Sequence, residues 1–508
     1  MFAQVKTLQV NGLFAQEVVV EADIASGLPA FDLVGLGGTA VREAKERVRS
    51  AIKNSGYEFP GRRITVNLAP ADVRKEGTGL DLPIAVALLT ALGVVPPLGD
   101  NIYLVGELSL EGKLRGVAGI LPMILDLQEI NPEALLIVPS DNNTEAGLTS
   151  VSNIRCASSL QEVVAYLNGE SELKPPTNMP VSDISPIYDD LADVRGQATA
   201  KRALEIAASG QHNLLLIGPP GTGKTMLARR LPGIMPPLTQ QETMEITRIY
   251  SAAGLLNSDH PLAAARPFRS PHKTASVTSI VGGGKFPKPG EISLSMHGVL
   301  FLDELPEFAR DTLEALRQPL EDGVITVARA QATVTYPAVF LLCASMNPCP
   351  CGFYGDPQKE CGCGPTRVRQ YLSRISGPLL DRMDLHVELP RESWTQDNEG
   401  VAGESSAVVR SRVEQARRLQ AERYHNDIYK LNSQIPPRDL RKYCNLDKDA
   451  KSLLKQAVSR LTMSARAHDR ILKVARTISD LAGSEVIRET HIAEAISFRS
   501  LDRKYWGM

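Results

Sequence analysis

Along the first third of the chain, short β-branched runs alternate with stretches of helical spacing. Val18-Val19-Val20-Glu21-Ala22 and Ile64-Thr65-Val66-Asn67-Leu68 read as strands, and Leu135–Val138 as another. Thr39–Asn54 sets apolar residues near helical spacing among many charges, which predicts an amphipathic helix, and a further helix is expected over Ser159–Leu167. The most apolar stretch, Leu82–Val95, contains Pro83 and Gly93 and is too short to span a bilayer, so it predicts a buried helix. Residues 1–167 thus read as one α/β unit. Glu170–Ile187 holds Pro175, Pro176, Pro180 and Pro186, a density that sustains neither helix nor sheet, so 168–189 reads as a linker. A second α/β block is expected over 190–390 and an all-helical block over 391–508.

The second block carries the clearest chemistry. Asn213-Leu214-Leu215-Leu216-Ile217 predicts a buried strand, followed by Gly218-Pro219-Pro220-Gly221-Thr222-Gly223-Lys224-Thr225 and then by helical spacing. Glycines in that pattern let backbone N–H groups curl around phosphate oxygens, and the helix N-terminus behind them favours negative charge. Lys224 is expected on the β and γ phosphates and Thr225 on Mg²⁺. A second apolar strand, Val299-Leu300-Phe301-Leu302, ends in Asp303-Glu304. Asp303 is expected to hold Mg²⁺ through water, and Glu304 to orient or deprotonate the attacking water. A third strand over Ala338–Ala344 leads to Asn347, whose amide could sense the γ-phosphate.

These strands, with the helical block behind them, resemble the AAA+ ATPases: an αβα core with a C-terminal helical lid. The 79 residues from Lys224 to Asp303 leave room for an insertion, and Val324–Val334, folded about Ala328-Arg329-Ala330-Gln331, predicts a hairpin before the third strand. Both insertions are similar to those of the branch that holds magnesium chelatase and the MCM helicases. The resemblance implies that Arg382, in Leu379-Leu380-Asp381-Arg382-Met383-Asp384, enters a neighbouring subunit's site as an arginine finger, with Arg374 a weaker candidate. The alternative for Arg382 is an ion pair with an adjacent Asp. Arg466, opening a helix in Ser464-Ala465-Arg466, resembles the sensor-2 position. A finger acting across an interface implies an oligomer, in this branch a homo-hexamer.

Four of the seven cysteines form C-x-C-x₉-C-x-C: Cys349, Cys351, Cys361 and Cys363. Four thiolates at short range suit tetrahedral Zn²⁺ as a structural clip beside the nucleotide site. An iron–sulfur cluster or free loop thiols are the alternatives.

In the first unit, Pro70–Leu82 with Gly106–Leu114 resembles a Lon-protease-like (S5-type) α/β domain. That chemistry needs a Ser nucleophile and a Lys base. Here Gly79 and Leu121 occupy those positions, and neither can act. The resemblance therefore implies the fold without peptidase activity. Arg74 and Lys75 are expected in a solvated loop.

The whole order is that of a multidomain α/β chain: Lon-like unit, linker, chelatase-type core with the four-cysteine insertion, and helical lid. It resembles the ComM/YifB family of magnesium chelatase-like competence proteins. That resemblance implies ATP and Mg²⁺ as cofactors, DNA as partner, and a branch-migration helicase in recombination of incoming DNA during natural transformation. Composition limits how DNA could be held. Across 508 residues, 56 Lys or Arg face 58 Asp or Glu, so any DNA site must concentrate charge locally. Arg329 at the hairpin tip and Lys285 and Lys288 in the glycine-rich insertion are the candidates, and 14 Lys or Arg against 8 Asp or Glu make 441–508 locally basic. The N-terminus lacks a secretory apolar core, and the expected compartment is the cytoplasm. A metal-insertion ATPase subunit and a non-hydrolytic scaffold are the competing readings.

Overall fold

The computed structural model describes residues 1–35, 37–71, 75, 77–149, 151–177, 188–256, 265–284, 287–329, 332–391, 403–460 and 464–507. The chain opens with β1 (Phe2–Asn11) and β2 (Phe14–Ala25), an antiparallel hairpin longer than the strand expected at Val18–Ala22. Gly12, with φ 70°, takes the first central place of its two-residue loop, which is the turn signal that marks such a hairpin. Val18, Val20, Ala22 and Ile24 alternate into the core, as a strand period of two requires. β3 (Ala30–Val34), β4 (Arg63–Ala69), β5 (Ile102–Leu104), a small hairpin of β6 (Glu107–Leu108) and β7 (Leu114–Arg115), β8 (Leu135–Pro139) and β9 (Ile154–Ala157) follow. Seven of these form one sheet in the order β3-β4-β2-β1-β5-β8-β9. The apolar helix is Asp81–Ala91, buried along almost its whole length and ended at Gly93, whose φ is 78°. Asp81 carries its charge into that core against Arg47, at 2.7 and 2.9 Å.

Lys75 departs from the expected solvated loop. It is fully buried, its ammonium donating to the Pro70 carbonyl, because its backbone bridges to Gly37 and accepts from Gly38 N–H at 2.8 Å. Arg74 lies outside the described residues. The expected linker begins as part of this unit: Leu173 joins its core, and Cys156 N–H donates to the Lys174 carbonyl at 2.9 Å. Residues 178–187 lie outside the described residues.

The second sheet contains β10 (Leu214–Ile217) and β11 (Phe268–Arg269). After the two-stranded β12 (Gly282–Gly283) and β13 (Lys288–Pro289), it gains β14 (Val299–Leu302). The hairpin of β15 (Val324–Arg329) and β16 (Ala332–Pro337) precedes β17 (Leu341–Met346) and β18 (Leu385–Glu388). The sheet order is β11-β14-β17-β10-β18, all parallel. β10, β14 and β17 are buried at every position, which explains their uninterrupted apolar runs. Helices Ser406–Arg423, Lys448–Arg460, Ala465–Leu481 and Glu489–Ser497 make up the last block. Val409, Leu454, Ile471 and Ile492 share one apolar core with Leu214 and Leu385 of the sheet.

The first unit docks on helix Gln240–Ala253. Leu13 joins the apolar cluster of Ile246 and Ile249. Arg248 donates to the Leu13 carbonyl at 2.9 Å, pairs with Asp126 and lies 5.0 Å from the Phe14 ring centre. Ser251 donates to Glu145 at 2.5 Å. A side chain at Gly12 would strike Val334 of the β15–β16 hairpin. Among the described residues no helix is long and apolar enough to cross a membrane.

Candidate nucleotide site

Parallel strands present their C-terminal ends along one edge of the sheet, where ligands bind in such folds. The phosphate-type loop leaves β10 at that edge, with Gly221 and Gly223 at φ 80° and 84°, backbone that side chains disfavour. Helix Lys224–Ile234 starts directly behind it. The Lys224 ammonium is folded onto its own loop, donating to the carbonyls of Gly218 at 2.7 Å and Pro219 at 2.8 Å, and to Asn347 Oδ1 at 3.2 Å. Burial pushes Lys224 down to about 8, against the charges of Asp303 and Glu304, which hold it up. Thr222 braces the loop by donating to the Pro219 carbonyl at 3.0 Å.

β17 lies between β10 and β14, and this order joins the parts. Ser345 on β17 donates to Asp303 at the end of β14, and Asn347 just beyond β17 reaches Lys224 behind β10. Thr225 Oγ1 donates to Asp303 Oδ2 at 3.1 Å. Two adjacent oxygen ligands of an octahedral Mg²⁺ lie about 3 Å apart, given metal–oxygen distances near 2.1 Å. The spacing of Thr225 and Asp303 is compatible with both groups facing one such ion, Asp303 directly or through its water. Glu304 has a left-handed backbone, φ 54°, and its N–H donates to Asp303 Oδ1 at 3.1 Å. Its carboxylate is held by Lys273, whose Nζ donates to Oε2 at 2.6 Å. Sequence reasoning passed over Lys273, which lies 31 residues before Glu304.

Arg382 sits at the opposite edge. It precedes β18, which runs parallel to β10, and the Asp384 N–H donates to Asn213, the residue before β10. Its guanidinium, almost fully buried, donates to the carbonyls of Arg317 at 3.1 Å and Pro378 at 2.7 Å and pairs with Glu321. The acidic partner is thus not a neighbouring Asp but Glu321, 61 residues earlier. Arg466, exposed in the first turn of its helix, lines an open cavity of about 820 Å³ together with Arg382, Arg470 and Lys473. Lys224, Asp303 and Glu304 are not part of that cavity. Burial would raise the Asp384 carboxyl, but Arg470 and His212 outweigh it and hold the group well below the usual carboxylate range. Arg374 lies at the nucleotide edge instead, donating to the Pro306 carbonyl at 3.2 Å and to Glu307 at 3.1 Å.

The family of magnesium chelatase, subunit ChlI, matches residues 190–397, and the subunit ChlI C-terminal family matches 403–499. A further family, subunit ChlI of Mg-chelatase, matches 20–142. The uncharacterized protein YifB of Salmonella typhimurium is 47% identical over 99% of this chain and 97% of its own length. Competence protein ComM of Haemophilus influenzae is 46% identical over 97% of this chain and 96% of its own. The chain belongs to the ComM/YifB family. The magnesium-chelatase 67 kDa subunit of Heliobacterium mobile is 26% identical over 45% of this chain and 37% of its own. As a magnesium-chelatase-like AAA+ chain, this ComM/YifB member is an ATPase whose nucleotide chemistry is that of ATP and Mg²⁺.

The four cysteines of this ComM/YifB chain converge. Their sulfurs all lie within 4.8 Å of one another, with Cys349–Cys351 at 3.3 Å and Cys361 3.6 Å from each. A ZnS₄ tetrahedron with Zn–S near 2.3 Å has edges of about 3.8 Å, so the set fits zinc, and none of the four is in a disulfide. The cluster touches the phosphate loop: Gly352 packs so tightly on Pro220 that a Cβ there would lie 2.5 Å from the proline ring. Of the DNA candidates, Lys288 is exposed on β13 and Arg329 ends β15, while Lys285 lies outside the described residues, as do hairpin residues 330–331.

Proposed function

We propose that this chain is an ATP-driven, ring-forming DNA motor, a branch-migration helicase acting on incoming DNA in natural transformation. The observation that carries the motor is the split site. Lys224, Thr225, Asp303, Glu304 and Asn347 gather at one edge of the sheet, while Arg382 and Arg466 share a cavity at the other. β10 alone, four residues at roughly 3.3 Å each, separates the edges by more than a guanidinium can span. That separation supports reading Arg382 as a group that acts in trans on a neighbouring copy's nucleotide, with Arg466 beside it as the sensor-2 residue. A head-to-tail contact whose rotation closes gives a ring, and the family resemblance supports a hexamer.

In that ring Lys224 gives up its loop carbonyls for the phosphates, Glu304 orients the attacking water, and the neighbour's Arg382 meets the transition-state charge. Mg²⁺, held by Thr225 and Asp303, neutralises phosphate charge when bound. The helical block acts as a lid tied to the core through Arg470 and Asp384. The first unit is a Lon-like scaffold without peptidase chemistry, a reading supported by the apolar side chains of Val105 and Val117 nearest Gly79 and by the buried Leu121. Its expected compartment is the cytoplasm. DNA enters on the competence protein among the relatives and on basic residues at the hairpin and the insertion. The chelatase reading accounts for less, since the match to the Heliobacterium subunit covers under half of either chain.

The deciding experiment is ATP-driven migration of a labelled three- or four-way DNA junction, wild type against Glu304→Gln. Movement by the wild type alone establishes the motor. No movement by an ATPase-competent wild type redirects the search to protein partners and porphyrin substrates. A second outcome concerns the hairpin: Arg329→Ala is expected to keep DNA-free ATP hydrolysis and lose its stimulation by DNA, read by steady-state ATPase with and without single strands. Unchanged stimulation removes Arg329 from the DNA path.

The cysteine cluster we assign to a structural Zn²⁺. Because Gly352 props Pro220, metal removal is expected to loosen the phosphate loop. Extraction with a chelator, or Cys361→Ser, should weaken binding of a fluorescent ATP analogue about tenfold, a change of ~1.4 kcal/mol. Equal affinity with and without metal would make the cluster a passive clip.

A further inference from the structure

The turn between β1 and β2 ends against the hairpin that carries Arg329. Gly12 lies so near β16 that a Cβ built on it would stand 2.2 Å from Val334 Cγ1 and 3.4 Å from Val334 Cβ. Val334 is buried there, and Leu13 of the same turn belongs to its apolar cluster. Tyr336, two residues on, faces the same side of β16, as a strand period of two requires. It is fully buried, and its hydroxyl donates to the Pro287 carbonyl beside β13 at 2.6 Å. One face of β16 therefore meets both the first unit and the β12–β13 insertion. β15 and β16 pair only with each other, and a lone two-stranded hairpin is marginal in water, so its position depends on what it leans against.

The turn itself is anchored. Arg248 donates to the Leu13 carbonyl at 2.9 Å, and the Ala15 N–H donates at 2.5 Å to Asp126, the carboxylate that also pairs with Arg248. At the end of the same helix, Gly254 lies where a Cβ would touch Ala118 at 3.4 Å. Ser251 donates to Glu145, which also accepts from the Leu121 N–H at 2.9 Å. We propose that Gly12 is a positioning residue: the β1–β2 turn is a fixed stop that sets where the β15–β16 hairpin stands, and with it Arg329. The inference rests on the DNA-motor reading and gives the first unit a task within it.

Glycine serves two needs at this place, a φ of 70° and the absence of a Cβ, and the two can be separated. Asn tolerates left-handed backbone, so Gly12→Asn keeps the turn and adds crowding. Val334→Ala removes the nearest methyl and relieves it. The test compares full-length wild type, Gly12→Asn, Val334→Ala and the double variant. Amide hydrogen exchange over residues 324–337 reads the hairpin, and steady-state ATP hydrolysis with and without single-stranded DNA reads its coupling. Gly12→Asn is expected to speed hairpin exchange about fivefold and to lower the ratio of DNA-stimulated to DNA-free rate by a similar factor, the lower range of overpacking a close contact. DNA-free kcat and KM for ATP should stay at their wild-type values. On the Val334→Ala background Gly12→Asn should have no further effect, a rescue that a glycine kept only for its backbone would not show. Unchanged exchange or unchanged stimulation in Gly12→Asn overturns the stop and leaves the motor intact, as does an equal loss on both backgrounds. A wild type that DNA does not stimulate overturns the motor reading and the stop with it.

Discussion

Arg382→Ala is expected to lower ATP turnover about 10³–10⁵-fold, the worth of an arginine finger, while leaving ATP affinity at its wild-type value. Affinity is expected to survive because the groups proposed to grip the phosphates, Lys224 and the loop of Gly218–Gly223, lie at the other edge of the sheet. The residue also braces its own chain, through two backbone carbonyls and Glu321, and losing those bonds costs about 1–3 kcal/mol of stability. Subunit mixing separates the two effects. An Arg382→Ala subunit keeps a whole nucleotide edge, and a Glu304→Gln subunit keeps a whole arginine edge. In an equal mixture of the two inactive proteins, about a quarter of the head-to-tail interfaces pair a good edge with a good edge, and turnover should return to that extent. A mixture as inactive as its components would leave Arg382 a brace for Glu321 and nothing more.

Glu304→Gln should bind ATP and Mg²⁺ normally and still assemble, yet hydrolyse about 10²–10⁴-fold more slowly. The amide keeps the shape of the side chain and its left-handed backbone, but it neither accepts the water's proton nor pairs with Lys273. Asp303, Thr225 and Ser345 are untouched, so the nucleotide grip remains. The checks are stopped-flow binding of a labelled nucleotide and single-turnover hydrolysis. Turnover within threefold of wild type would transfer the water-orienting role to another group, and assembly without hydrolysis that still moved DNA junctions would favour the scaffold reading.

The parts of the site that were legible in the sequence are those written in contiguous residues. Gly218–Thr225 shows strand, loop and helix in one run, and Val299–Glu304 shows a buried strand ending in two carboxylates. What stayed hidden are pairings between distant segments. Lys273 with Glu304, Gly352 with Pro220 and Arg382 with Glu321 each join residues that share no local pattern, because a parallel sheet brings its loops together only after every strand has been placed. Lys75 misleads for a related reason. A charged residue among polar neighbours reads as exposed, and only the backbone bridge to Gly37 shows that it is drawn inward. β1 was hidden by its mixed polarity, which follows from its being half-open along its length.

The seam along helix Gln240–Ala253 bears on how a minimal motor could be cut from this chain. Removing the first 177 residues would strip Leu13 from the apolar cluster of the ATPase core and leave Arg248 and Ser251 without Asp126 and Glu145. It would also bare Val334, on the hairpin whose tip carries Arg329. An inactive fragment of that kind would report a broken wall, not a missing instruction.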